Sequence, residues 1–236
     1  MNPTLILALF QQRARSLPRM ALVFSFFSLP LIVLAFARGA GLAALHTGQA
    51  FAVFLGAGII GQDISSGTLQ LLFARPVSRG EYVLSRWLGA SLAAACLVVA
   101  QLAIGLTLMA LHREAPAVRD LALFAGGQLL GVFGTVSVLL LFSTMLPGIG
   151  DLLAIIVAAI TGQALQLAAG LFRAPWLARA GVEIGRFVAP ALDLNALFGG
   201  GQISWFEVVS YFSTVTLCVA LAIVILNRRE LSYATD

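Results

Sequence analysis

The chain has 236 residues, 60% hydrophobic and 10% charged, with a mean hydropathy of +1.00 and a net charge of +4. Charged residues make up about a quarter of an ordinary soluble domain, so this chain cannot cover a water-facing surface, and its solvent is the bilayer. All basic residues are arginines that flank apolar runs instead of gathering on one face, which argues against nucleic acid as a partner.

Residues 4–19 have the pattern of an N-terminal interfacial helix. Thr4, Ala8, Gln11, Gln12, Arg15, Ser16 and Arg19 share one side at helical spacing, and Leu5, Ile6, Leu9, Phe10 and Leu17 share the other. The segment does not read as a signal peptide, because its apolar run precedes Arg13, Arg15 and Arg19 instead of following them. Six stretches are then long enough, at about 20 residues each, to cross a bilayer: 20–37, 42–61, 82–111, 121–146, 152–172 and 206–226. Pro30 in the first is tolerable if a neighbouring helix satisfies the carbonyl it frees. His46 and Gln49 make the start of the second unusually polar. The third and fourth exceed the hydrocarbon thickness and must tilt. The expected fold is therefore all-α, a single polytopic domain over residues 1–236 with a tail from 227 to 236.

Arg13, Arg15 and Arg19 precede the first span, and Arg228 and Arg229 follow the last. Two basic ends on one side require an even number of crossings, with both termini cytoplasmic. The island between spans two and three, carrying Arg75 and Arg79, and Arg86 at the start of span three then fall inside too. That places eight arginines inside against six outside. The long outer segment before the last span predicts a helix opened by Pro175 that lies on or dips into the outer leaflet. Trp176, Leu177, Ala180, Ile184 and Phe187 share a face of it, with Arg179, Glu183 and Arg186 at pairing distances. Gly199 to Gly201 form a flexible joint after it.

The polar island is the densest information in the chain. Asp63 and the Ser65/Ser66 pair can cap a helix start. Leu69, Leu72 and Phe73 then stand at i, i+3 and i+4, the pattern of a short amphipathic helix, which Pro76 ends at Arg75. Ser78, Arg79, Gly80 and Glu81 form a capping box for span three, flanked by Val77 and Tyr82 as a hydrophobic staple. An ordinary turn needs only a few residues. The apolar face wants a partner: headgroups, the rest of this chain or another protein.

Asp63, Ser66, Gly67, Thr68 and Leu69, then Arg75, Pro76, Ser78 and Arg79, then Glu81 and Trp87-Leu88-Gly89, resemble the ABC-2 type transporter permeases, the membrane subunits of ATP-binding-cassette exporters. The motif covers about thirty residues; the layout covers the chain. The resemblance implies that Asp63 to Phe73 is a cytoplasmic coupling helix seated in a separate ATPase subunit. It implies a second permease copy or paralogue, and a bacterial cytoplasmic (inner) membrane. ATP and Mg would belong to the partner ATPase, with no cofactor on this chain. A phosphate-binding P-loop needs a lysine, and this sequence has none. The resemblance also implies that spans one, two and five face the dimer axis. Gln49, Gln163 and Gln166 are thus candidates for a substrate path, against the alternative of interhelical hydrogen bonding.

Gly89, Ala93, Cys96 and Ala100 form a small-residue stripe on span three, and Gly127 and Gly131 a GxxxG on span four, both suited to close helix packing. Cys96 and Cys218 suggest no disulfide framework, and His46 and His112 are too few for a zinc site. No acid or base sits clearly mid-span, as a proton-coupled carrier would need, and no hydrolase motif occurs. The expected function is transport of an apolar or amphipathic substrate driven by the partner's ATP. The alternative is a non-transporting subunit that transmits mechanical work to an extracytoplasmic partner. A membrane enzyme ranks behind both.

Overall fold

A computed structural model describes residues 17–37, 39, 41–69, 78–198 and 205–229, and all regular elements among them are helical. Residues 4–16 of the expected interfacial helix, residues 70–77 of the island (Leu72, Phe73, Arg75 and Pro76 among them), the glycine joint and the tail beyond Arg229 lie outside the described residues.

Among the described residues six segments are long and apolar enough to cross a membrane, and the protein is a multi-pass helical membrane protein. The first span is α1 (Leu17–Phe36). It begins earlier than expected, taking up residues assigned to the end of the interfacial helix. The second, Leu42–Ser65, is broken into a 3-10 turn (Leu42–Leu45), α2 (Gly48–Gly56) and α3 (Gly61–Ser65). The remaining spans are α4 (Arg79–Leu111), α5 (Val118–Met145), α6 (Gly150–Phe172) and α9 (Trp205–Arg228). Between the last two lie α7 (Pro175–Val188) and the short α8 (Leu194–Phe198).

The second span is where expectation and structure part. A continuous helix was expected from the apolar run, but Gly58 adopts φ +67°, which ends α2 and redirects the chain. The broken segment is tolerated because it is the most interior of the six, 61% buried against 11% for α6. In lipid, irregular backbone survives only where protein satisfies it.

α5 is the central helix and touches α2, α4, α6, α8 and α9. Phe51, Ile59, Ile60, Tyr82, Val83, Val132, Val136 and Leu140 form the heart of one continuous core that also takes in Leu69 and Leu226. Pro30 cannot donate to the carbonyl of Phe26. Gln101 of α4 does so instead, at 3.2 Å, and donates to Phe27 O at 3.0 Å, while its own oxygen accepts from Thr47. The small-residue stripe of α4 is only half packed: Gly89 and Ala93 are buried, whereas Cys96 and Ala100 face outward.

α7 does not lie flat across one end of the bundle. It runs back along α6, with Gly181 against Gly162 and Gln166, until Val188 meets Ile155 and Leu139. Fourteen helical residues span about 20 Å. The chain then climbs back along α5: Pro190 crowds Gly134, Leu192 passes Gly127, and Arg119 donates to the carbonyl of Phe198. A β-carbon on Gly134 would stand 2.6 Å from Pro190 O, so this close passage needs a glycine. The α6–α7 hairpin makes few other contacts and leaves Arg179, Glu183 and Arg186 exposed. Arg186 pairs with Glu183 at 3.5 Å.

Candidate functional site

The break in span two frees backbone groups, and side chains from three other elements satisfy them. Gly58 N donates to Asp151 Oδ2 at 2.7 Å. Ser143 Oγ accepts from both Ile60 N and Gly61 N, at 2.9 and 2.8 Å. Gly148 N donates to Gly61 O at 2.7 Å, and Arg19 Nη2 to Ala57 O at 3.1 Å. Asp151 and Ser143 are wholly buried. Leaving such groups unpaired costs about 1–3 kcal/mol each, so the break is a specified joint. Gly61 permits the approach: a β-carbon there would lie 2.6 Å from Gly148 O.

Asp63 follows directly, inside α3, and its role is not the helix cap expected from sequence. Its carboxylate turns inward to Arg86 and also accepts the hydroxyl of Tyr82; both donors come from α4. Arg86 Nε adds a bond to Tyr82 Oη at 3.2 Å, and its guanidinium lies 5.3 Å from the Tyr82 ring centre. The Asp63 and Arg86 side chains are 11% and 4% exposed. Burying a carboxylate is costly unless it is paired and hydrogen-bonded. Tyr82 and Arg86 stand one helical turn apart, so one face of α4 supplies both donors.

Beyond Asp63 the chain turns at Gly67, with φ +70°, a conformation that disfavours a β-carbon. Ser66 and Thr68 share a hydroxyl–hydroxyl bond at 2.7 Å. Leu69 is buried in the chain's own core, so this chain itself is its apolar partner. At the other edge of the island Ser78 Oγ accepts from Glu81 N at 3.2 Å, the expected cap of span three. The described part of the island is thus tied at both edges to α4.

Arginines close the helix ends around it. Arg79 Nη1 donates to the carbonyls of Leu226, Asn227 and Arg229, at 2.8, 2.9 and 3.2 Å. Arg229 Nη1 donates to Thr144 O at 2.8 Å, at the end of α5. Together with Arg19 on Ala57, three guanidiniums cap the carboxyl ends of α2, α5 and α9, where the helix dipole favours cations. Sequence reasoning read these arginines as topology signals and missed their capping role.

At the opposite end of the bundle a half-open cavity of about 630 Å³ lies between the start of span two, α5 and the chain after Pro190. Gln49 lines it and donates to Ala189 O at 3.4 Å. Gln128 lines it as well. Its oxygen accepts Gly48 N at 2.9 Å, and its nitrogen lies 2.8 Å from His46 Nδ1. Gln163 and Gln166 are not there: both are exposed on α6, and Gln166 packs beside Gly181. The three glutamines expected to share a path are therefore split, with Gln49 on the cavity and the other two on the outlying hairpin. Gly127 borders the cavity beside Leu192, and Gly131 lines it while packing against Gln49 of α2, where an added β-carbon would lie 3.6 Å from the Gln49 side chain. A second cavity of about 300 Å³ lies across the segment Ala191–Asp193, against α9.

Among the described residues no three His, Cys, Asp or Glu side chains gather closely enough to hold a metal ion. Arg86, Tyr82, Ser143 and Asp151 were missed from sequence; for the first two, i,i+4 spacing on the helix facing Asp63 was the available signal. No known protein-family model matches the chain, and no curated protein matches it.

Proposed function

We propose that the chain is the membrane subunit of an ATP-binding-cassette transporter of the ABC-2 type, moving an apolar or amphipathic substrate with ATP hydrolysed by a separate subunit. The arginine-capped end is then cytoplasmic, in a bacterial inner membrane, and α7 dips in from the outer leaflet. The observation that carries this assignment is the buried Asp63–Arg86–Tyr82 group, which clamps the start of the polar island to the base of α4. A mere connecting loop has no need of an internal ion pair whose assembly costs desolvation. A segment that must transmit force does.

The mechanism follows from the joints. When two ATPase subunits close on ATP, the island between Asp63 and Glu81 is pushed. Asp63 passes the displacement to Arg86 and Tyr82, and Ser78 and Arg79 pass it to α4 and α9. The break at Gly58 lets α3 move with the island while α2 follows a different path. Two permease copies moving this way alternate access to a space between them.

The test is co-purification of the tagged chain from its native membrane, followed by ATP hydrolysis in liposomes. An ATP-binding-cassette subunit is expected in the complex, with hydrolysis stimulated by the transported compound. Leu72→Asp and Phe73→Asp are expected to release or uncouple it while the spans stay folded. No such subunit in the complex, or normal stimulation with both variants, overturns the assignment. Recruitment without substrate stimulation favours mechanical transmission over transport.

A further inference from the structure

We infer that the second cavity, of about 300 Å³, is a water-filled cleft that reaches from the end of the bundle opposite the arginine caps to about the middle of the membrane. The depth of α7 carries the inference. Gly185 packs against Gly162, where an added β-carbon would lie 3.7 Å from Gly185 N, and Gly162 is close to the midpoint of α6 (Gly150–Phe172). Glu183 and Arg186 flank that contact, so their ion pair stands near the middle of a membrane span. Their side chains are nonetheless 70% and 57% exposed. Charged groups at that depth are confined to a bundle interior or a water-filled space. Lipid against this face of α7 would have to hold a carboxylate and a guanidinium, whereas water solvates both.

The facing wall agrees. Glu207, Ser210 and Thr214 stand at i, i+3 and i+7 on α9 and line the cavity with Arg186 and Tyr211. At about 1.5 Å per residue, Thr214 lies about 14 Å from Trp205 along a helix of about 36 Å, within about 5 Å of its midpoint. The chain between the walls is irregular at the same depth. Pro190 crowds Gly134, about 24 Å along α5 from Val118 and just past the middle of that helix. Non-helical backbone at membrane depth persists only where it is buried in protein or borders water. Pro190 and Leu192 are buried, whereas Ala191 between them is exposed and lines this cavity. Three elements thus turn polar or irregular surface toward one space, and about 300 Å³ holds about ten waters at roughly 30 Å³ each.

The cleft follows from the six-span fold and needs no ATPase, so its test and the co-purification above fail independently. Cys96 and Cys218 would be replaced by Ala, and single cysteines introduced by Ser210→Cys, Thr214→Cys, Phe212→Cys and Leu217→Cys. Phe212 and Leu217 are exposed on α9 but do not line the cleft. Each variant in lipid nanodiscs is treated with two membrane-impermeant methanethiosulfonates, one cationic and one anionic, and modification is followed by intact mass. A thiol must meet water to ionise to the reactive thiolate, so Ser210→Cys and Thr214→Cys are expected to react with both reagents about tenfold or more faster than Phe212→Cys and Leu217→Cys. Phe212 is nearer to Trp205 than Thr214 is, so depth alone predicts the reverse order for that pair. Adding Ser210→Trp, which narrows the cleft between Trp205 and Thr214, is expected to slow Thr214→Cys to the rate of the lipid-facing controls. Monodisperse elution and a melting temperature like the parent's verify folding; should Thr214→Cys fail them, Ser210→Cys against Phe212→Cys decides. Cleft positions reacting no faster than Phe212→Cys, equally rapid reaction at all four positions, or no slowing by Ser210→Trp overturns the inference.

Discussion

Replacing Asp63 by Asn tests the joint between the island and α4 most directly. Arg86 is 4% exposed on its side chain, and the substitution removes its carboxylate partner while leaving the Tyr82 hydroxyl contact at 3.2 Å. Removing one member of a buried pair costs about 3–5 kcal/mol, because the other charge stays behind without compensation. At about 1.4 kcal/mol per decade, the arrangement in which α3 has left α4 gains roughly two to three and a half decades in population. For a chain of this size about 1 kcal/mol moves the melting temperature by about 2–4 °C, so a fall of roughly 6–20 °C is expected in detergent. The double replacement Asp63→Leu with Arg86→Met removes both charges, and apolar substitutes for a buried pair are often neutral or better. It is expected to regain most of the stability and, on the function proposed above, to lose the coupling to the partner's ATP hydrolysis. Two results refute the reasoning: Asp63→Asn melting within about 2 °C of the parent chain, or the double variant supporting normal substrate-stimulated ATP hydrolysis by the partner subunit proposed above.

Gln101→Leu leaves Phe26 O, at the Pro30 gap, and the Thr47 hydroxyl without their partner; a loss of about 2–4 kcal/mol is expected in denaturant unfolding. Gly61→Ala places a β-carbon 2.6 Å from Gly148 O and 2.7 Å from Leu146 O. Backbone atoms cannot yield as a side-chain tip would, and overpacking of this kind costs about 1–3 kcal/mol. Gly170→Ala, with nothing within 4 Å of the added carbon, is the control that should melt with the parent.

How much was legible beforehand depended on how local each signal is. Hydropathy runs located all six spans, because twenty apolar residues in a row have few other uses. The Ser78 cap and the helix opened by Pro175 were readable, since caps are decided within four residues. The carbonyl freed by Pro30 implied a donor but could not name Gln101, seventy-five positions away from Phe26. Asp63 was misread as a cap because cap and ion-pair roles suit the same side chain, and only the approach of α4 chooses between them. Gln163 and Gln166 share a helical face, yet which face of α6 meets the bundle is a matter of packing.

Composition and periodicity by themselves determined the membrane-like helical class, the six runs long and apolar enough to cross a bilayer, and the helix-opening signals at Ser78 and Pro175. Tertiary structure alone decided that span two breaks at Gly58, that arginines cap three helix ends, that α7 turns back along α6, and that a cavity opens beside Gln49. The division has one physical cause. A run of apolar side chains determines a helix's environment through its own free energy of transfer, whereas a backbone group freed at a break is stabilised only by whichever distant donor or acceptor the fold brings to it.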